Sequence, residues 1–383
     1  MFDEYKKKIE IQKREFLYRC PHKIATRKGK YIDAGGKRLI NFSANDYLGL
    51  SSDRKIKEII VRNFEKYPAS SSSSRLVCGN YNVVLDAEKK VAEYFGYEDC
   101  IFFQTGFQAN LALMSTIFLD NHKVFIDKHV HASTISGLKL GGVRFNTFKH
   151  NDLTHLKKRL NSNENKNSWV VTESIFSMDG DLLDVEKLFQ LKDNYNFKLI
   201  VDEAHAVGIL GKKGVGLAQG VADIAVGTFT KAFGFFGAFV LLPKIIKEYL
   251  FNFSIPLIYS TALPPAHSGC ILDLIDIVED LEDRRWYVQE LSQLARQKLE
   301  KAGIKYTGSA HIITIPIGEE ELGKNISEEL ISRGYMVFYS RYPTVPLGKS
   351  LLRISLCYFH TESDIIKFIE LLKDILYKYG ILK

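Results

Sequence analysis

The sequence is poor in cysteine and tryptophan and has no long apolar run, and each lack removes a class of protein. Its five cysteines, Cys20, Cys78, Cys100, Cys270 and Cys357, are scattered, with no C-x-x-C pair. An odd, unpatterned set fits reduced thiols in a cytoplasm better than a disulfide framework or a zinc site. The longest apolar stretch, around Leu111–Leu119, is interrupted by Ser115 and Thr116. That is well short of the ~20 residues a membrane-spanning helix needs. The opening MFDEYKKKIEIQKREF is a charged, helix-patterned arm without the apolar segment of a signal peptide. No H-E-x-x-H, Walker A or G-x-G-x-x-G motif occurs, and the cluster Gly211, Gly214, Gly216 is wrongly spaced for a dinucleotide turn. No basic run interleaved with aromatics suggests nucleic-acid readout, and no fixed-period repeat is visible.

What is present is an ordinary globular composition. At 383 residues, 46% hydrophobic and 25% charged, the chain is neither disordered nor fibrous. Its length suggests a large domain plus a smaller one. The net charge of +7 is a mild basic excess. It fits an anionic partner or a solvated, lysine-rich surface equally well.

Along the chain, residues 1–20 are patterned as an amphipathic helix and residues 23–42 as a small hairpin with turn glycines. A Ser-rich loop spans Pro68–Gly79, and Leu85–Phe95 reads as a helix closed by Gly96. Short apolar runs then alternate with helical stretches. Cys100–Phe103, Lys123–Asp127, Val143–Phe148, Trp169–Thr172, Lys198–Asp202, Asp223–Thr228 and Gly237–Leu242 read as buried strands. Phe107–Phe118, Leu153–Leu160 and Asp184–Tyr195 read as helices between them. Such alternation predicts an α/β fold, a mostly parallel sheet flanked by helices. The pattern changes near Ile271. A long helix over about Ile271–Ala302 leads into an α/β unit with strands at His311–Ile317, Met336–Tyr339 and Leu351–Leu356 and a last helix from Glu362. The expected organisation is an arm with a small hairpin over 1–45, a large domain over 46–270 and a smaller C-terminal α/β domain over 271–383.

In a parallel sheet, ligands gather at the C-terminal ends of the strands. Asp202 closes the run LIVD, and a carboxylate there needs a cation or a donor. His205 follows three residues on, and His131 lies in DKHVHAS. Lys231 sits just past a strand in GTFTKAFG, and Thr105-Gly106-Phe107 opens a helix, a ready phosphate cradle. Singly, each has an ordinary reading: a helix cap, a hydrogen-bonded histidine, one lysine among many, a simple turn. In this order on an alternating chain they suggest pyridoxal phosphate. The acid would keep the ring nitrogen protonated, the lysine would form the Schiff base, and the helix start would hold the phosphate.

The motifs NFSANDYLGLSS, HASTISGLKLGG, VVTESIFSMDGD, LIVDEAHAVGILGKKGVG, GTFTKAFG, IYSTALPP and RYPTVPLGKSLLRISL carry a resemblance over almost the whole chain. The sequence resembles the α-oxoamine synthases, fold-type I pyridoxal-phosphate enzymes. PTVPLGKSLLRISL is similar to the branch that joins L-alanine to a pimeloyl thioester, on coenzyme A or an acyl carrier protein, in biotin biosynthesis. The sister branches, which use glycine with acetyl-CoA or serine with a long acyl-CoA, are the alternative, and a catalytically inactive binding subunit is a remote one. The resemblance implies that Lys231 bonds the cofactor, Asp202 pairs with its ring nitrogen, His205 donates to its phenolic oxygen and His131 stacks on it and serves catalysis. It implies that Gly106, Phe107, Ser177, Thr228 and Thr230 contact the cofactor. Thr261 would reach the phosphate of a partner subunit, so a homodimer is implied. Asn45, Arg353 and Thr344 resemble the substrate contacts, with Arg19 as the nearest arginine of the arm. No metal is implied. Phe235 and Phe236 stand where smaller residues are common and are expected to narrow the acyl pocket.

Overall fold

The computed structural model describes residues 2–161 and 167–382. The chain forms two compact units. The smaller takes in Met1–Ser52, Ser177–Asp181 and Trp286–Lys383, and the larger Asp53–Phe176 and Leu182–Arg285. The chain starts in the smaller unit with a helix over Asp3–Arg14, none of whose residues is buried. It continues as an antiparallel meander of β1 (Ile24–Lys28), β2 (Tyr31–Ala34) and β3 (Lys37–Asn41). Two hairpins are therefore present where one was expected. Gly29, Gly35 and Gly36 take the positive φ of the turns.

The larger unit is built on seven strands: β4 (Asp99–Phe103), β5 (Lys123–Asp127), β6 (Phe145–Phe148), β7 (Ser168–Glu173), β8 (Lys198–Asp202), β9 (Ile224–Thr228) and β10 (Ala238–Leu242). Their order in the sheet is β4-β10-β9-β8-β7-β5-β6. Only β10 runs antiparallel to its neighbours, so the sheet is mostly parallel, as expected. Successive residues point to opposite faces. Thus Leu199 and Val201 pack with Leu156, Leu188 and Leu191 on one side, while Ile200 packs with Leu113 and Leu138 on the other. Both faces are covered, which is why the strands read as continuous apolar runs.

Two boundaries differ from expectation. The helix expected over Ile271–Ala302 is two helices, Pro265–Glu279 and Glu282–Lys301. Asp280 and Leu281 separate them, and buried Arg285 donates to the last carbonyls of the first, at Val278 and Glu279. Pro265–Glu279 packs on the helices Arg54–Lys66 and Asn82–Phe95, so the larger unit extends to Arg285 rather than ending at 270. Within this unit Arg75 grips buried Glu88 with both guanidinium ends, at 2.7 and 3.1 Å. Lys247 joins that pair to Asp99.

The chain returns to the smaller unit with β11 (Ile312–Gly318), β12 (Tyr335–Met336), β13 (Phe338–Ser340) and β14 (Ser350–Ser355). β11, β14 and β13 form an antiparallel sheet. β12 pairs in parallel with β3, and this corrects the expectation of a separate arm: residues up to Ser52 belong with the C-terminal part. Thr314 and Thr307 donate to the carbonyls of Met178 and Asp179, tying residues 177–181 to the same unit. The last helix, Glu362–Lys378, starts at a capping box of Thr361 and Asp364. Among the described residues, no helix is long and apolar enough to cross a membrane.

Candidate active site

In the larger unit the polar residues singled out by sequence stand where strands end. Asp202 is the last residue of β8. Its Oδ1 accepts the backbone N–H of Ala204 at 2.9 Å, and its Oδ2 accepts from Asn110 Nδ2 at 2.8 Å. Asn110 comes from the helix Gly106–Thr116, which follows β4. The same amide nitrogen reaches Ser133 Oγ at 3.1 Å. Ser133 is the second residue of the helix Ala132–Leu140 after β5, which His131 caps with its own ring. His131 Nδ1 lies 2.7 Å from Ser133 Oγ, and the backbone N–H of Ser133 points to it at 3.3 Å.

Glu173 completes this cluster. It ends β7, it is 3% exposed, and its Oε1 accepts the backbone N–H of His131 at 2.5 Å. Burial, reinforced by the charge of Asp202, holds its carboxyl well above the usual carboxylate range. His131 has one side open to solvent, but partial burial lowers its pKa. Asp202 pushes that pKa up and Lys231 pushes it down, so both lie within electrostatic reach of His131.

Lys231 is half-buried in the turn from β9 to β10. Phe229 and Phe233, both fully buried, pin that turn, and Gly234 N–H donates to the Lys231 carbonyl at 2.8 Å. Thr228 Oγ1 bonds the hydroxyl of Thr230 at 2.8 Å and the carbonyl of Gly237 at 3.0 Å. Phe235 stacks on His267 with centroids 4.3 Å apart, and Phe236 meets the same ring edge-on. The two phenylalanines thus brace the Lys231 turn against the helix Pro265–Glu279.

Thr105 caps the helix that begins at Gly106, accepting Gln108 N–H at 3.1 Å. A Cβ on Gly106 would meet nothing within 4 Å, so space is open at this helix start, and Phe107 is exposed beside it. His205 is buried in the turn after β8. Thr261 is exposed, and its segment bridges to the Ser-rich loop at Ser74.

The remaining predicted residues lie in the smaller unit. Arg353, on β14, is 3% exposed. It donates to Asn45 Oδ1 at 3.0 Å, to Ser355 Oγ at 2.7 Å and to the carbonyl of Ser177. Tyr47 Oη donates to the same Asn45 oxygen at 3.1 Å. Among the described residues no carboxylate forms an ion pair with Arg353. The expected pair of Arg353 and Asn45 is therefore assembled, with its guanidinium unneutralised. Arg19 and Thr344 are exposed. Arg19 donates to the carbonyl of Tyr342, and the Thr344 N–H to that of Arg341. Arg19 thus reaches the loop that carries Thr344, and neither residue hydrogen-bonds to Arg353.

Sequence reasoning did not single out Glu173, Asn110 or Ser133. The signal for Glu173 was available: WVVTE ends an apolar strand in a carboxylate, just as LIVD does. Asn110 and Ser133 carry no such mark, because only the packing of their helices brings them together. Gly137 permits that packing, since a Cβ there would lie 2.7 Å from Met114 Cβ.

These groups fit pyridoxal phosphate: an open helix start with hydroxyls for an anion, a carboxylate with lone pairs to spare, and a lysine in a pinned turn. Residues 37–372 match the family model described as aminotransferase class I and II, and the chain belongs to that family. It is a pyridoxal-phosphate-dependent enzyme of the acyltransferase type. The chain is similar to 8-amino-7-oxononanoate synthases. A protein of Bacillus mycoides (strain KBAB4) that carries this name provisionally is 36% identical over 366 residues, 94% of this chain and 93% of that one. The solved 8-amino-7-oxononanoate synthase of Francisella tularensis is 31% identical with a TM-score of 0.77, covering 89% of this chain and 99% of that chain. A serine palmitoyltransferase from S. paucimobilis matches with a TM-score of 0.91 at 24% identity, over 100% of this chain and 98% of that chain. That last likeness speaks for the fold.

Proposed function

We propose that the protein condenses L-alanine with a pimeloyl thioester, carried on coenzyme A or an acyl carrier protein. The products are 8-amino-7-oxononanoate, carbon dioxide and the released thiol, a step of biotin synthesis. The observation that supports this most is the cluster of Asp202, His131 and Lys231 at the strand ends. The names of the similar proteins support the substrates.

Bound pyridoxal phosphate would supply an electron sink for the α-carbon of an amino acid. Lys231 would hold it covalently, Asp202 would keep its ring nitrogen protonated, and His205 and His131 would contact it. The N–H groups of Gly106 and Phe107, with Thr228, Thr230 and Ser177, would complete its hold. Thr261 would serve the phosphate of a partner subunit in a homodimer. Arg353 would take the alanine carboxylate by its planar fork, with Asn45 beside it and Thr344 and Arg19 as further substrate contacts. Lys231 Nζ, once released, takes the α-proton of alanine as general base. The α-carbon then bonds to the thioester carbonyl carbon and the thiol leaves; the bond from the α-carbon to the carboxylate breaks to release carbon dioxide, and a proton returns to the α-carbon. His131 donates a hydrogen bond to the carbonyl oxygen as negative charge builds there.

A matrix of amino acids and thioesters on the purified protein tests this. Thiol release should be fastest with L-alanine and pimeloyl-CoA or its carrier-protein equivalent. Faster turnover of glycine with acetyl-CoA, or of serine with palmitoyl-CoA, would overturn it.

A further inference from the structure

The bonds around His131 bear on which of its nitrogens carries the proton. Asp202, as a carboxylate, only accepts hydrogen bonds, so the Asn110 amide atom 2.8 Å from it is the nitrogen. That NH2 group has two hydrogens, and the second points to Ser133 Oγ at 3.1 Å. Ser133 Oγ is thereby an acceptor from Asn110. Accepting that bond uses one lone pair, and the hydroxyl proton can point to His131 Nδ1, 2.7 Å away. The Ser133 backbone N–H approaches the same nitrogen at 3.3 Å. A backbone N–H can only donate, so Nδ1 presents its lone pair there and the Ser133 hydroxyl becomes its second donor.

We propose that Ser133 and Asn110 are positioning residues that lock neutral His131 in its Nε2–H tautomer. The ring then offers the site a hydrogen-bond donor at Nε2 and no base there. Glu173, which accepts the His131 backbone N–H at 2.5 Å, fixes the start of the helix on which this arrangement depends. A proton added at Nδ1 would be set against both donors, so the same bonds keep the ring neutral. Partial burial and the charge of Lys231 act in the same direction, against the pull of Asp202. The inference rests on the role proposed for His131 and sharpens it: His131 stabilises developing negative charge, and proton abstraction falls to Lys231.

The test is a two-bond 1H–15N correlation spectrum of holoenzyme labelled with 15N-histidine. The His131 signals are assigned by their loss in His131→Gln. A protonated Nε2 with a lone pair at Nδ1 is expected; a proton on Nδ1 overturns the proposal. Ser133→Ala removes one small hydroxyl. It should yield a mixture of tautomers and a ring that titrates at higher pH, whereas an unchanged tautomer and titration would remove Ser133 from the role. The spectrum reads the ring whatever thioester the enzyme uses. Failure of the substrate assignment and failure of the tautomer assignment are therefore distinguishable.

Discussion

Glu173 and Asp202 stand opposite each other on the neighbouring parallel strands β7 and β8, both at the C-terminal ends of their strands. Glu173 is buried, and burial together with the charge of Asp202 raises its pKa. It then serves as a neutral acceptor for the His131 backbone. Glu173→Gln should therefore keep activity within about threefold, since an amide oxygen can accept the same bond. Glu173→Ala should cost at least about tenfold in kcat/KM, because an unpaired buried N–H is worth roughly 1–3 kcal/mol. Steady-state kinetics on both variants check this; equal losses would contradict a neutral Glu173.

Lys231→Ala should abolish turnover and the visible absorption of the covalently held cofactor, with the fold retained. An unchanged visible spectrum in this variant would sink the assignment of Lys231.

For Asp202→Asn, a loss of at least about a hundredfold in kcat/KM is expected, roughly 2.7 kcal/mol of barrier. The amide also turns one of its faces from acceptor to donor against Asn110, whose Nδ2 now bonds Oδ2. Near-normal kinetics would count against a role at the ring nitrogen.

Glu203 gives a pH dependence with a definite sign. It is fully buried and accepts from Ser174 Oγ and from the backbone N–H groups of Leu217 and Ala218. Burial pushes its pKa from 4.5 up to about 7. A carboxyl raised on folding stabilises the protein below its unfolded pKa, and that contribution fades as pH rises toward 7. It amounts to about 3 kcal/mol at most. Wild-type Tm should fall between about pH 5 and pH 8, and Glu203→Gln should flatten that fall. A profile as steep as that of wild type would exclude Glu203 as its source.

Much of this site was legible in the sequence. LIVD, GTFTK and the Thr-Gly helix start are local signals: an apolar strand that stops at a polar group, and a turn that opens a helix. The Arg353–Asn45 pair was reached through resemblance, and the structure sets the two 3.0 Å apart. The domain borders were less legible. The helical patterning of 271–302 runs on across Asp280-Leu281, because periodicity does not register that Arg285 caps one helix before the next begins. Nor could the sequence show that β12 would pair with β3, nearly 300 residues away, since a two-residue strand has no pattern of its own.

The sequence by itself determined the α/β alternation, the absence of a spanning helix and the placing of Asp202, His131 and Lys231 after strands. Each of these is a short-range property of hydrophobic period and turn chemistry. Tertiary structure alone decided that Glu173 faces Asp202, that Asn110 and Ser133 join His131 to that carboxylate, and that Arg353 stays buried beside Asn45. Those relations depend on strand order and helix packing, where residues distant in sequence meet, and no local pattern encodes them.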